Sequence, residues 1–294
     1  MTAVDLGGTW MRAAVVSAVG ATGPVARRPT EAGRPQAEII ADLLRVIGEA
    51  QQAGEAEGAI AGAAVGIATV LDSEGQVMPC PNLPTLGGLY LGRHLEARLG
   101  LPVTVANDAC CFAVGEWWMG AGKGASNLCG VTLGTGIGVG IVIGGQAYRG
   151  SHGFAGEIWS TPMGDSFLEA QVCASAIERS YQRASAQSLH TAGGQAPSGA
   201  EIAALAERGD ERALKAFASF GRTLGAVISF LVNLLDPEVV VFGGSISRSF
   251  DHFRGPLAEV VGATTTQGGK VRLERSALGD SAALLGAAKL FWDS

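Results

Sequence analysis

The chain is written as short apolar runs, each closed by glycine, proline or an Asn-Asp pair. Ala3-Val4-Asp5 leads into Gly7-Gly8-Thr9, and the stretch from Met11 to Val16 returns to apolar residues. That pattern predicts two strands joined at a glycine turn. Over residues 36–52, Ile39, Leu43 and Ile47 recur at helical spacing. Small and β-branched residues from Ala61 to Val70 predict a buried strand. Met78-Pro-Cys-Pro-Asn82-Leu-Pro84 carries three prolines and reads as a loop. A helix is expected around Leu89–Leu99, then a strand over Leu101–Ala106 that runs into Asn107-Asp108. An apolar run at helical spacing, Ala109–Trp117, follows, so one of those two polar residues stands at a helix N-terminus.

The design restarts near residue 125. Asn127–Leu133 and Val139–Ile143 predict strands flanking a glycine turn. This second copy of the strand–glycine–strand unit suggests two related lobes. Residues 145–166 show no period, and the chain turns mainly helical from Phe167. Residues 191–199 read as a linker, and a long helix is expected over 211–235, ended by Pro237. Val239–Phe242 is a buried strand stopped by Gly243-Gly244-Ser245, and Asp280 is expected to cap a last helix, Ala282–Leu290. The fold class is α/β.

Composition narrows the function classes. Of 294 residues, 47% are hydrophobic and 16% charged, which argues against a disordered or fibrous chain. The 44 glycines cluster, as at Gly134/Gly136/Gly138/Gly140, where a backbone can approach a ligand. A net charge of −6 without a basic stripe argues against nucleic acid as a partner. Cys80, Cys110, Cys111, Cys129 and Cys173 form no CxxC pair and read as thiols of a reducing compartment. The first residues do not pattern as a signal peptide, and no run of about 18 uninterrupted apolar residues occurs. A cytoplasmic enzyme with no membrane partner is expected.

Four motifs carry candidate chemistry. Asp5-Leu-Gly7-Gly8-Thr9 offers backbone N–H groups to phosphate oxygens and a carboxylate to Mg²⁺; an ordinary hairpin with an Asp cap reads the same way. Leu133-Gly134-Thr135-Gly136-Ile137-Gly138 offers a second phosphate turn or a glycine-kinked edge strand. It continues as strand rather than opening a helix, which disfavours dinucleotide binding. In Asn107-Asp108 the aspartate stands where a general base for a sugar hydroxyl is needed, or serves as a plain N-cap. Gly243-Gly244-Ser245 ends a strand and can lie flat against a nucleotide, or simply turn the chain.

Their order, DLGGT, ANDA, LGTGIGVG and VFGGS, resembles the sugar-kinase/actin-like ATPase superfamily, and within it the ROK family (repressors, open reading frames and kinases). Gly153-Phe-Ala155-Gly156-Glu157-Ile158, Leu168-Glu169 and Leu278-Gly279-Asp280 to Ala288 are similar to further family segments. The resemblance implies two RNase H-like lobes with ATP and sugar in an interlobe cleft. The first lobe would span 1–107, completed by the C-terminal helix 280–294, and the second 108–279. It implies Asp5 for Mg²⁺, as an indirect ligand through water; Gly7, Gly8, Thr9, Gly134, Thr135, Gly136, Gly243 and Gly244 for ATP; Asn82, Asn107, Glu157 and Glu169 for the sugar; and Asp108 as catalytic base.

The sequence departs from the family at one place. Ser160 stands where a sugar-binding His is usual, and only seven residues separate it from Leu168, so the usual Cys-rich zinc element is absent. No zinc is therefore expected. His152 is either a substitute imidazole or a loop residue, Trp159 either stacks on a sugar or fills the core, and Trp10 has no reading. The resemblance implies a hexose kinase, glucose first, with N-acetylmannosamine, fructose or a glucoside as alternative acceptors, and, since dimers are common in the family, a homodimer as one expected assembly. The other alternative is a non-catalytic sugar sensor. With four residues ahead of Asp5, the DNA-binding domain of the family's repressors is not expected.

Overall fold

The protein is described by a computed structural model over residues 1–54, 59–186 and 197–294. The expected linker at 191–199 lies outside the described residues as far as position 196. Its first elements are β1 (Thr2–Leu6), β2 (Trp10–Val15), β3 (Ala26–Pro29), α1 (Gln36–Ala53), β4 (Ala63–Ile67), α2 (Leu91–Leu99), β5 (Val103–Asn107) and α3 (Asp108–Met119). The five strands form one sheet in the order β3-β2-β1-β4-β5. β1 pairs antiparallel with β2 and parallel with β4, and β4 pairs parallel with β5.

The chain continues through β6 (Leu128–Leu133), β7 (Ile137–Ile143), β8 (Gln146–Ala147), β9 (Pro162–Met163), β10 (Ser166–Phe167), α4 (Leu168–Gln171), α5 (Ala174–Ala186), α6 (Gly199–Glu207), α7 (Glu211–Leu235), β11 (Val239–Gly243), α8 (Phe250–Thr264), β12 (Arg272–Arg275) and α9 (Ala282–Asp293). A second five-stranded sheet runs β12-β11-β6-β7-β8.

Two compact units result. One comprises Met1–Gly130, Val139–Gly156 and Ser276–Ser294, the other Val131–Gly138 and Glu157–Arg275. In the first, β1 alternates sides as a strand must. Val4 and Leu6 enter one core with Ile39, Leu43 and Val46 of α1, while Ala3 enters a second with Leu284, Ala287 and Ala288 of α9. Helices on both faces explain why the central strand β4 is apolar and buried along its whole length. α3 crosses α9 very closely, because a Cβ on Gly286 would overlap the Cys111 carbonyl and one on Gly115 the Ala282 carbonyl. α3 belongs to this unit, packed on α9 through that crossing.

In the second unit α7 runs unbroken for 25 residues from its Asp210 cap to Asp236, whose left-handed backbone (φ 45°) and following proline stop it. By length and composition α7 is apolar enough to cross a membrane, but half of that stretch is buried. Phe217, Phe220, Leu224 and Ile228 are buried, and the helix packs on α5 and α8, as does the core helix of a globular unit. Phe220 meets Phe253 of α8 edge-on with ring centroids 5.3 Å apart.

Asp280 corrects one expectation. It does not cap α9, whose N-cap is Ser281 without a side-chain bond. Asp280 lies in a short 3₁₀ turn, Gly279–Ser281, and turns toward Arg12 instead.

Candidate functional site

Three parallel strands build the first half of the site. In the ladders Leu6 lies opposite Ile67, and Ile67 opposite Asn107. At the usual strand spacing this sets the backbones of Leu6 and Asn107 about 10 Å apart at one end of the sheet. Asp5, one residue back on β1, and Asp108, one residue on from β5, therefore share that edge. Burial, with a smaller push from Asp280, raises the Asp5 carboxyl to about 6 against the pull of the Arg12 guanidinium. Arg12 Nη1 lies 3.6 Å from Asp5, and its Nη2 lies 3.5 Å from Asp280.

Asn107 caps α3. Its Oδ1 accepts the Cys110 N–H at 3.0 Å, and its Nδ2 donates to the Thr69 carbonyl at 3.2 Å. Asp108 opens the helix, with Oδ1 accepting the Ala109 N–H at 2.8 Å. The cysteines behind it stay thiols, since burial pushes Cys110 up to about 11 and Cys111 well above its ordinary value.

The Gly7-Gly8-Thr9 turn is clamped by Thr30, whose Oγ1 donates to the Gly7 carbonyl at 2.7 Å and whose N–H donates to the Thr9 carbonyl at 2.8 Å. A Cβ on Gly8 would come within 2.8 Å of the Asn82 carbonyl, so the proline-rich loop seats on that glycine. Asn82 itself is exposed. Asp5, Gly7, Gly8, Thr9, Asn82, Asn107 and Asp108 thus all belong to the sheet end of one unit. Trp10, exposed beside the turn, stacks under Arg27 at 5.1 Å.

The second unit gathers the other candidates. The turn between β6 and β7 closes through Gly134 N–H to the Gly136 carbonyl at 3.0 Å. Gly244 has φ 79°, and a Cβ on it would collide with the Leu133 backbone, so the two glycine turns touch. Glu169 abuts Gly136, and its Oε2 accepts the Ile137 N–H at 3.3 Å. Glu157 accepts the Trp159 indole N–H at 2.7 Å, while burial pushes its carboxyl above the usual range.

The segment between Ser160 and Leu168 folds as a small hairpin. Met163 pairs with Ser166 and Pro162 with Phe167 across a turn at Gly164, which has φ 62°. The Leu168 N–H then reaches the Thr161 carbonyl and the Glu169 N–H the Trp159 carbonyl. Trp159 is 42% exposed, so it does not fill the core. Ser160 and His152 are exposed. Among the described residues no group of three or more His, Cys, Asp or Glu stands together as a metal cage.

As neighbours of Asp5, Arg12 and Asp280 escaped the sequence reading. Counting across the hairpin from Asp5 would have found Arg12, its ladder partner. Asp280 carried no such signal.

Paired five-stranded sheets, with glycine turns and an Asn-Asp helix start at strand ends, define the actin-like ATPase fold as sugar kinases use it. The chain belongs to the ROK family, whose family model matches residues 1–294. It is 31% identical over 307 residues to a glucokinase of Thermotoga maritima, covering 98% of this chain and 95% of that protein. It is 30% identical over 305 residues to a putative xylose repressor of Caldicellulosiruptor, covering 96% of this chain and 75% of that protein. Among solved structures it is similar to a ROK family glucokinase from Streptomyces griseus in complex with glucose and AMPPNP. The TM-score is 0.83 at 26% identity, over 99% of this chain and 98% of that one.

Proposed function

We propose that the protein is an ATP-dependent hexose kinase of the cytoplasm, with glucose as its first candidate acceptor and Asp108 as general base. The observation that carries this reading is the ladder register Leu6–Ile67–Asn107, which brings Asp5 and Asp108 to one sheet edge. Asp108 takes the proton of the attacking hydroxyl while that oxygen bonds to the γ-phosphorus; the bond to the β–γ bridging oxygen breaks and ADP leaves. Asn107, Asn82, Glu157 and Glu169 supply directional acceptors and donors for sugar hydroxyls. The glycine turns Gly7–Thr9, Gly134–Gly136 and Gly243-Gly244 are candidates to offer backbone N–H groups to phosphates.

Asp5 fits a magnesium ion held largely through water. Its carboxyl is lifted by burial, so a nearby cation would return it to its charged form. Bound there, Mg²⁺ would neutralise charge on the phosphate oxygens.

A coupled assay of ADP release across hexoses, N-acetylated hexosamines and glucosides tests the proposal. Magnesium-dependent turnover, fastest with glucose, is expected. Sugar binding by calorimetry without ADP release from any sugar would overturn it. That outcome would favour a sugar sensor, the alternative supported by the similarity to a putative xylose repressor.

A further inference from the structure

We propose that Trp159 is a stacking platform for the pyranose ring of the substrate and a specificity-determining residue of this enzyme, an inference that rests on the hexose kinase reading. An indole is the largest apolar side chain, and burying it is strongly favourable. Yet Trp159 stays 42% exposed, on a segment held at several points. Its N–H is already satisfied by Glu157 Oε2 at 2.7 Å, so what it has left to offer a ligand is the apolar ring.

The ring is held by its backbone as well. The Trp159 carbonyl accepts the Glu169 N–H at 3.1 Å, as the last rung of the hairpin that turns at Gly164. Glu169 in turn accepts the Ile137 N–H and abuts Gly136 of the glycine turn. One short run of chain thus joins a carboxylate, an exposed ring, a second carboxylate and a phosphate turn, all within one unit.

This combination suits a hexopyranose. Its axial C–H bonds form an apolar face that covers an aromatic ring, while its hydroxyls project sideways to carboxylate acceptors. A carboxylate has about four lone-pair sites, so Glu157 retains capacity for a ligand hydroxyl after the indole bond. The indole therefore does two things: it offers the face, and it aims the carboxylate.

The variants Trp159→Phe and Trp159→Ala separate these roles from a structural one. With glucose, Trp159→Ala should raise the sugar KM about tenfold or more, leaving the ATP KM and the Tm close to wild type. Trp159→Phe, which keeps a ring but drops the bond to Glu157, should recover most of the loss. Independently of turnover, glucose should change the indole emission of the wild type, and this change should vanish in Trp159→Phe. A wild-type sugar KM in Trp159→Ala would overturn the proposal, as would an undiminished glucose-induced emission change in Trp159→Phe. Should the wild type release no ADP yet show the Trp159 emission change on glucose, the kinase reading would fail while the platform stands.

Discussion

Arg12 stands directly opposite Asp5 in the β1–β2 ladder, and its guanidinium lies 3.6 Å from the Asp5 carboxylate while also reaching Asp280. Even with this cation beside it, Asp5 is held at about 6 by burial, against an ordinary value of 3.8. A carboxyl raised in the folded state binds more protons there than in the unfolded chain between those two pH values. Stability therefore falls as pH rises from about 4 to about 6, and stays lower above. At about 1.4 kcal/mol per pH unit the native state carries a burden of about 1–3 kcal/mol at neutral pH. Asp5→Asn should remove it. Urea denaturation without magnesium should find the variant more stable than wild type by about that amount at pH 7.5, with the difference closing near pH 4. Kinase activity should be lost. A variant no more stable at pH 7.5 than wild type would refute the burden.

Asp108→Asn keeps the local structure, because an amide oxygen can still accept the Ala109 N–H that Asp108 accepts at 2.8 Å. What it removes is the proton acceptor proposed for the attacking hydroxyl. Turnover should fall by about 10²–10⁴-fold while the sugar Kd, read by calorimetry, moves only a few-fold. Near-normal kcat would strip Asp108 of its role.

Much of this was legible in the sequence, and the legible parts share a cause. Glycine turns and helical spacing act over a few residues, so β1, β2 and α7 and a helix start at Asn107 or Asp108 could be read locally. The hairpin at 159–169 could not, because its two-residue strands are too short to show a period of two. Asp280 was misread for a different reason: the pattern of a helix start was present, but Arg12, far away in sequence, had the stronger claim on its charge. Glu116 gave no sign at all, since its partner Ser276 lies 160 residues on. The roles of the candidate residues came from motif order, and only the ladders say which of them share an edge.

Two glycines of the second unit should respond in opposite ways to alanine. A Cβ on Gly134 would meet nothing closer than the Ser245 hydroxyl at 3.5 Å, an ordinary contact. The fold therefore does not demand glycine there, and Gly134→Ala should change stability by less than about 0.5 kcal/mol. If a phosphate approaches that backbone, the same methyl should raise the ATP KM without altering the sugar KM. Gly244 combines a φ of 79° with a Cβ that would collide with Leu133. Gly244→Ala should cost about 2 kcal/mol or more, from the left-handed backbone and the collision together. Denaturation curves paired with steady-state kinetics check both. An unaltered ATP KM in Gly134→Ala would remove that turn from the nucleotide site.

Glu116 is fully buried, and its carboxylate accepts the N–H groups of Ala121, Ala277 and Leu278 and the Ser276 hydroxyl. It thereby ties the C-terminal end of α3 to the segment that leads into α9. Every partner is a donor, so a carboxylate fits and an amide does not. In Glu116→Gln the NH₂ group must face donors whichever way it is turned, leaving at least one buried N–H unmatched. A buried donor without an acceptor costs about 1–3 kcal/mol, and the opposed amide adds to it. Glu116→Gln should therefore lose about 2–4 kcal/mol in urea denaturation although its shape is unchanged. Asp108, eight residues earlier on the same helix, should feel the loosened anchor, so kcat should fall more than either KM. A Glu116→Gln protein as stable as wild type would mean that water, not the carboxylate, satisfies that segment.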